Sequence, residues 1–213
     1  MPDLHYTLLA DGSSDRALMP VLTWALRAQG VTRPIQPAWA DLARLRQRPR
    51  TLPERIVESL RLYPCDLLFV HRDAEREPHH TRRAEILRAL DGVRQRRIAL
   101  PAAVCVVPVR MQEAWLLFDE AAIRAAAGNP YGRKELHLPR LADLEGLPDP
   151  KATLQQLIRA ASGLHGRRLQ QLTISTYRLA ELIDDFAPLR ALPAFQSLEA
   201  ELGEVVAAWG WQG

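Results

Sequence analysis

The first half of the chain alternates two hydrophobic periods. Residues 4–10 read as a strand, with Tyr6, Leu8 and Leu9 apolar, and residues 14–29 as a helix, with Leu18, Leu22 and Leu26 at helical spacing. Gly30, just past that helix, is a frequent stop. A short strand follows at 35–40 and a helix at 53–63, where Pro53 suits the first turn. Residues 66–70 (Asp-Leu-Leu-Phe-Val) and 102–109 read as buried strands. The helix between them, 81–97, carries an apolar face of Ile86, Leu87, Leu90 and Val93, and a last helix is expected at 113–127. Near-continuous apolar strands alternating with amphipathic helices predict an α/β fold, a mainly parallel sheet covered on both faces.

The second half changes character. Residues 128–150 are rich in Pro and Gly with Leu136, Leu138, Leu141 and Leu144 interleaved, which predicts an ordered loop packed on the core. Short helical segments follow at 152–162, 167–172, 175–185 and 195–209, the third capped by Ser175 or Thr176. The organisation expected is an α/β core over 1–127 and a loop and helical C-terminal extension over 128–213 packed on it. No internal repeat or low-complexity tract interrupts either part.

Composition narrows the class. A length of 213 residues with 47% hydrophobic content is enough for a sizeable core. Cys65 and Cys105 lie in or beside apolar runs, which reads as reduced thiols rather than a disulfide. No Cys-x-x-Cys or paired Cys/His spacing offers a zinc site. Met1-Pro2-Asp3 leads into no signal-like apolar run and no apolar segment reaches spanning length, so a soluble cytoplasmic protein without membrane contact is expected. Charge is unevenly spread: residues 44–110 hold 15 Arg against 8 acids, whereas 111–213 hold 10 basic residues against 13 acids. A basic segment beside acids suits a nucleic-acid partner, although only two of the 28 basic residues are lysine, so the arginine excess can also reflect genomic base composition.

In open α/β sheets ligands bind beyond the carboxyl ends of the strands, so chemistry is expected at the strand ends. The first runs into Asp11-Gly12-Ser13-Ser14-Asp15, where Gly12 permits a tight turn and both carboxylates can face one space; Asp, Gly and Ser are equally ordinary turn residues. The third runs into His71-Arg72-Asp73-Ala74-Glu75, where an extended backbone would put Asp73 and Glu75 on one side. Like charges so placed repel unless a cation neutralises them, and hard oxygen ligands suit Mg²⁺ or Mn²⁺. A solvated charged loop is the alternative. Past the fourth strand, Glu113 begins a helix on the same rim, either as a functional acid or as a favourable charge at a helix N-terminus. His71 and the pair His79-His80 read as strand-end and loop residues before ligands or bases.

A resemblance follows from these segments. Strand-Asp-Gly-x-x-Asp followed by strand-x-x-Asp-x-Glu resembles the TOPRIM fold of topoisomerases, primases and OLD-type nucleases. More narrowly, Asp11-Gly12-Ser13-Ser14-Asp15, Glu113-Ala114-Trp115-Leu116-Leu117-Phe118-Asp119, Asp149-Pro150-Lys151 and the tail with Leu192-Pro193-Ala194-Phe195 resemble the small standalone TOPRIM-like proteins grouped as DUF4276. The departures are Asp11 for the usual Glu and Glu75 for the usual second Asp; each keeps the carboxylate and changes its reach.

The resemblance implies a TOPRIM-like (Rossmann-like) core and a metal-dependent nuclease. Asp11, Asp15, Asp73 and Glu75 would be its metal ligands, with Glu113 and Lys151 as catalytic candidates. Lys151 would stabilise charge on a scissile phosphate, its alternative being an ion pair with Asp149. An ATPase partner and a role in phage defence are implied by the resemblance alone. Rival readings are a regulatory or docking subunit that binds an ATPase or nucleic acid, and another phosphoryl-transfer activity. No Gly-x-x-x-x-Gly-Lys loop is present, so the chain is not itself a P-loop ATPase. DNA versus RNA, and whether the chain works as a homo-oligomer, are left open by the sequence.

Overall fold

The computed structural model describes residues 2–173 and 175–212, so Met1 of the N-terminal segment read above, Ile174 and Gly213 lie outside the description. Among the described residues, strands β1 (Leu4–Leu9), β2 (Ile35–Trp39), β3 (Leu67–His71) and β4 (Ala102–Val106) form one sheet in the order β2-β1-β3-β4. All three pairings are parallel. The helices are α1 (Leu18–Ala28), α2 (Leu52–Leu62), α3 (His79–Gln95), α4 (Glu120–Ala126), α5 (Pro150–Ser162), α6 (Gly166–Gln170), α7 (Thr176–Glu181) and α8 (Pro193–Ala208). This is an α/β fold with a parallel sheet flanked by helices, of Rossmann-like type.

Alternation along each strand builds two cores. Leu4, Tyr6, Leu8, Leu67, Phe69, Val104 and Val106 face one side, where they pack with α1 and with residues of α4, α5, α7 and α8. Leu9, Leu68, Val70 and Cys105 face the other side, against Ile56 of α2 and Ile86, Leu90 and Val93 of α3. The first core therefore draws on residues 128–213 as well as on the sheet. Its aromatic centre is Phe195 of α8, edge-to-face on Trp115 with ring centroids 5.3 Å apart and beside Trp24 at 6.3 Å. Cys65 and Cys105 are free thiols.

Several element ends differ from expectation. The helix expected over 113–127 is divided: a 3₁₀ turn covers Gln112–Leu116, and α4 starts afresh after Asp119, whose Oδ1 accepts the Ala122 N–H at 2.9 Å. The helix expected from residue 14 opens as a 3₁₀ segment, Ser13–Ala17, and continues as α1. Pro20 is tolerated as the third residue of α1, where its missing N–H would have had no partner within the helix. Further 3₁₀ turns at Leu42–Arg44, Leu141–Gly146 and Ala187–Ala191 carry no periodicity that the sequence reading could register. Ser175 does cap α7, its Oγ accepting the Arg178 N–H at 3.3 Å.

The outer strands end their ladders differently. The Ala40 N–H donates to Leu8 O at 3.0 Å, so alternation turns position 37 outward, and that position is Pro37. On the opposite edge, the Cys105 N–H donates to Glu201 Oε1 of α8 at 3.0 Å, and Glu201 is held in turn by Arg83. No helix among the described residues is long and apolar enough to cross a membrane.

Truncating Phe195 to alanine removes the ring that joins α8 to α1 and the Gln112–Leu116 turn. The expected cost is about 3–5 kcal/mol, read as a lower urea midpoint with little change in slope.

Candidate functional site

The carboxyl ends of β1, β3 and β4 open on one rim, where the chain carries most of its buried acid. Beyond β3 the backbone continues to pair with the segment leaving β4: Arg72 N–H donates to Val106 O at 3.1 Å, Ala74 N–H to Pro108 O at 3.0 Å and Glu75 N–H to Arg110 O at 2.9 Å. This continuation carries Asp73 across the rim. Arg110 then turns with φ 64 and brings Gln112 and Glu113 back over the sheet end.

Asp15 is the most enclosed of the aspartates, 6% exposed. Its Oδ2 accepts the Gly12 N–H at 2.7 Å, and its Oδ1 accepts from Ser14 Oγ at 3.2 Å and from Gln112 Nε2 at 3.0 Å. Asp73 Oδ1 accepts the backbone N–H of Gln112 at 2.9 Å. Gln112 thus holds both acids, yet its own Oε1 is buried and has no partner among the described residues. His71 lies beneath, with Nδ1 3.0 Å from Val106 O and Nε2 3.6 Å from Asp73 Oδ1 and 3.9 Å from Asp15 Oδ2. With Nδ1–H donating to the carbonyl, the Nε2 lone pair faces two carboxylates. Burial holds His71 below the usual histidine range, against the pull of Asp15.

The electrostatics are strained in one direction. Burial pushes the Asp73 carboxyl up to about 8, and the charges of Asp15 and Glu113 add to the rise. Glu113, 4% exposed, is also raised, mainly by burial, with Lys151 opposing. Lys151, the second residue of α5, is exposed and lines a cavity of about 450 Å³ together with Glu113, Ser13, Ser14, Arg159 and Tyr177. The expected alternative, a Lys151–Asp149 ion pair, is not formed; Asp149 caps α5 by accepting the Ala152 N–H at 2.8 Å.

Two expected members stand apart. Asp11 lies at the rim, but Arg55 binds both its Oδ1 and the Ala10 carbonyl, and Arg72 Nε is 3.6 Å from its Oδ2. Glu75 does not continue an extended backbone: it takes φ 54, its side chain is 68% exposed, and it sits 3.4 Å from Arg82. The expectation that Asp73 and Glu75 face one side fails here because the left-handed turn at Glu75 reverses its direction. His79 and His80 open α3, away from the acids.

Gln112 is the residue the sequence reading missed. Its only signal was a polar side chain directly after an apolar strand and before Glu113. No group of three His, Cys, Asp or Glu side chains among the described residues is placed so as to hold a metal ion. The donor chemistry nonetheless fits a hard divalent cation. Asp15, Asp73 and Glu113 offer carboxylate oxygens, burial and then the neighbouring acids raise Asp73, and Gln112 Oε1 is an orphaned buried acceptor beside them.

Comparison with family models, with curated proteins and with solved structures returned no significant match. The geometry of the rim is therefore what carries a functional reading.

The Asp73 shift has a stability consequence. An unfolded-chain Asp loses its proton near ~3.9, whereas folded Asp73 keeps its proton to about 8. The favourable contribution is complete below the unfolded value and is lost as pH rises through the folded one, and Glu113 acts with the same sign. In EDTA the melting temperature is expected to fall from about pH 5 to about pH 8.5. Asp73→Asn should flatten that fall and melt higher than wild type at the alkaline end. Mg²⁺ should restore the wild type more than the variant.

Proposed function

We propose that this chain is a divalent-metal-dependent phosphodiesterase acting on nucleic acid, built on a TOPRIM-like core. The observation that carries this reading is the joint hold of Gln112 on Asp15 and Asp73 beside Glu113 and Lys151, at the carboxyl ends of parallel strands. Asp15 and Asp73 would hold Mg²⁺ or Mn²⁺, with Asp11 available once Arg55 releases it. Bound there, the metal supplies an activated water and offsets charge on the departing oxygen. Glu113, its carboxyl raised above the usual glutamate range by burial, can pass a proton to or from oxygen at the rim. Lys151 lines one cavity with Glu113, where its ammonium would offset charge growing on phosphate oxygens. Arginines of the basic half supply backbone contacts that fix the strand without reading its sequence. An ATPase partner and a part in phage defence complete the reading on resemblance, and a cytoplasmic setting on the absence of a signal-like or spanning segment noted in the sequence.

A second reading has its own support. Asp11 is neutralised by Arg55 and Arg72, and Glu75 is turned out toward Arg82. Both observations favour a regulatory or docking subunit with a weakened metal site.

Cleavage of plasmid DNA and of tRNA, measured with Mg²⁺, Mn²⁺ or EDTA, separates the two. The nuclease is expected to cut only with metal, and Asp73→Ala to lower the rate at least about 100-fold while the far-ultraviolet spectrum is unchanged. Lys151→Ala should lower kcat by about 10²-fold, whereas Glu75→Gln should stay within about twofold. Inertness of every form with or without an ATPase, together with no binding of metal, favours the docking subunit.

A further inference from the structure

Across the Gly12–Asp15 turn from the Lys151 cavity lies a second recess of about 630 Å³, at the carboxyl ends of β1 and β2. Ser13 lines both. The recess is walled by the stretch Asp41–Arg50, in which arginine recurs at every second position: Arg44, Arg46, Arg48 and Arg50. Five arginines line it against two aspartates, Asp11 and Asp41. Ion pairs join Arg55 to Asp11 and Arg44 to Asp41. Among the described residues none reaches Arg48 or Arg50, both of which are exposed. The recess therefore keeps a surplus of positive charge that the chain itself does not neutralise.

An aromatic surface sits among those charges. Trp39, the last residue of β2, lines the recess and is half-buried. The Arg16 guanidinium is stacked between it and Tyr177, 5.5 Å from one ring centroid and 5.0 Å from the other. The Trp39 Nε1–H is buried and has no acceptor among the described residues. An indole that lines the same recess as two exposed arginines without an ion-pair partner matches a ligand that brings both a flat ring and an anion.

We propose that this recess is a binding cleft for single-stranded nucleic acid, with a base against Trp39 and its flanking phosphates on Arg48 and Arg50. The inference rests on the reading of the acidic rim as a phosphodiester-cleaving site and adds the class of strand that reaches it. A duplex keeps its bases stacked inside and offers only phosphates to a recess of this shape. An unpaired nucleotide offers both groups that the walls can bind. Arg55 joins the two regions, because it lines the recess while holding Asp11 at the acidic rim. A phosphate entering the cleft competes with Asp11 for that guanidinium, so occupancy of the cleft would free an acid for the metal site.

The test is binding in EDTA, where cutting is suppressed, read by fluorescence anisotropy over a range of salt. Probes are labelled oligothymidylate and oligouridylate of about 15 nucleotides, and the duplex of the first with its complement. The expected result is at least about tenfold tighter binding of a single strand than of the duplex. The tighter of the two single strands identifies DNA or RNA. In the double variant Arg48→Ser/Arg50→Ser the salt slope should fall by about 1.4, two phosphate contacts at about 0.7 each. Trp39→Ala should weaken binding about tenfold without changing the slope. Thermal melting of each variant verifies folding, and the exposed arginine pair serves if the Trp39 variant melts early.

Equal or tighter binding of the duplex, no binding of any probe, or an unchanged slope in the double variant overturns the cleft. Cutting with Mg²⁺ is then scored separately. Binding that follows this pattern without cutting in any metal leaves the cleft standing and removes the nuclease reading. Metal-dependent cutting with unaltered binding in the arginine variant does the reverse.

Discussion

Gln112 donates to Asp15 through its side chain and to Asp73 through its backbone, and so joins two acids that leave different strands. Burial, with the charges of Asp15 and Glu113 added to it, is why Asp73 keeps its proton to about 8. Only donors fixed from both directions can hold such a pair in place. The fixing is done by the surrounding architecture: the Gly12 N–H on one side, and on the other the turn at Arg110 that delivers Gln112 over the sheet. That turn depends in its own right on the parallel ladder running past the formal ends of β3 and β4. The rim is thus an extension of the sheet's own hydrogen bonding rather than a loop laid upon it.

The two cores explain why the acids gather at that rim. The central strand β3 and its neighbour β4 carry no polar side chain along their length except the buried His71 at the end of β3. Charge can enter only where strands end. The C-terminal helices take part as well: α5 brings Lys151 to the rim and α7 brings Tyr177 against Arg16. Residues 128–213 accordingly contribute side chains to the site as well as bulk to the first core.

How much of this could be read from the chain depends on how local each feature is. Strand and helix periods are local, and the four strands and the helices between them were legible to within a few residues. Asp15 and Asp73 were legible because a strand end followed by an acid is a short pattern with a known geometric meaning. Glu75 was misread because its direction is set by a left-handed turn tied to Arg110, a partner 35 positions away in the chain. Gln112 was passed over for a related reason: its role exists only after β1 and β3 have been brought side by side. The arginines of 44–50 were seen as charge, but their nearness to Trp39 required the second strand to be placed next to the first.

The two outer strands of the sheet have a bearing on how copies of this chain can meet. An open parallel sheet with free edges invites a further strand, from another molecule or from an unfolded neighbour. Here the β2 side presents Pro37 where an incoming strand would need a donor, and the β4 side has its Cys105 N–H taken by Glu201. Glu201 is further anchored by Arg83, so an invading backbone would have to break an ion pair before gaining a hydrogen bond. Strand exchange and edge-to-edge stacking are disfavoured at both sides, which leaves helix and loop surfaces for any assembly the chain enters and guards its four-stranded sheet against growth into fibres.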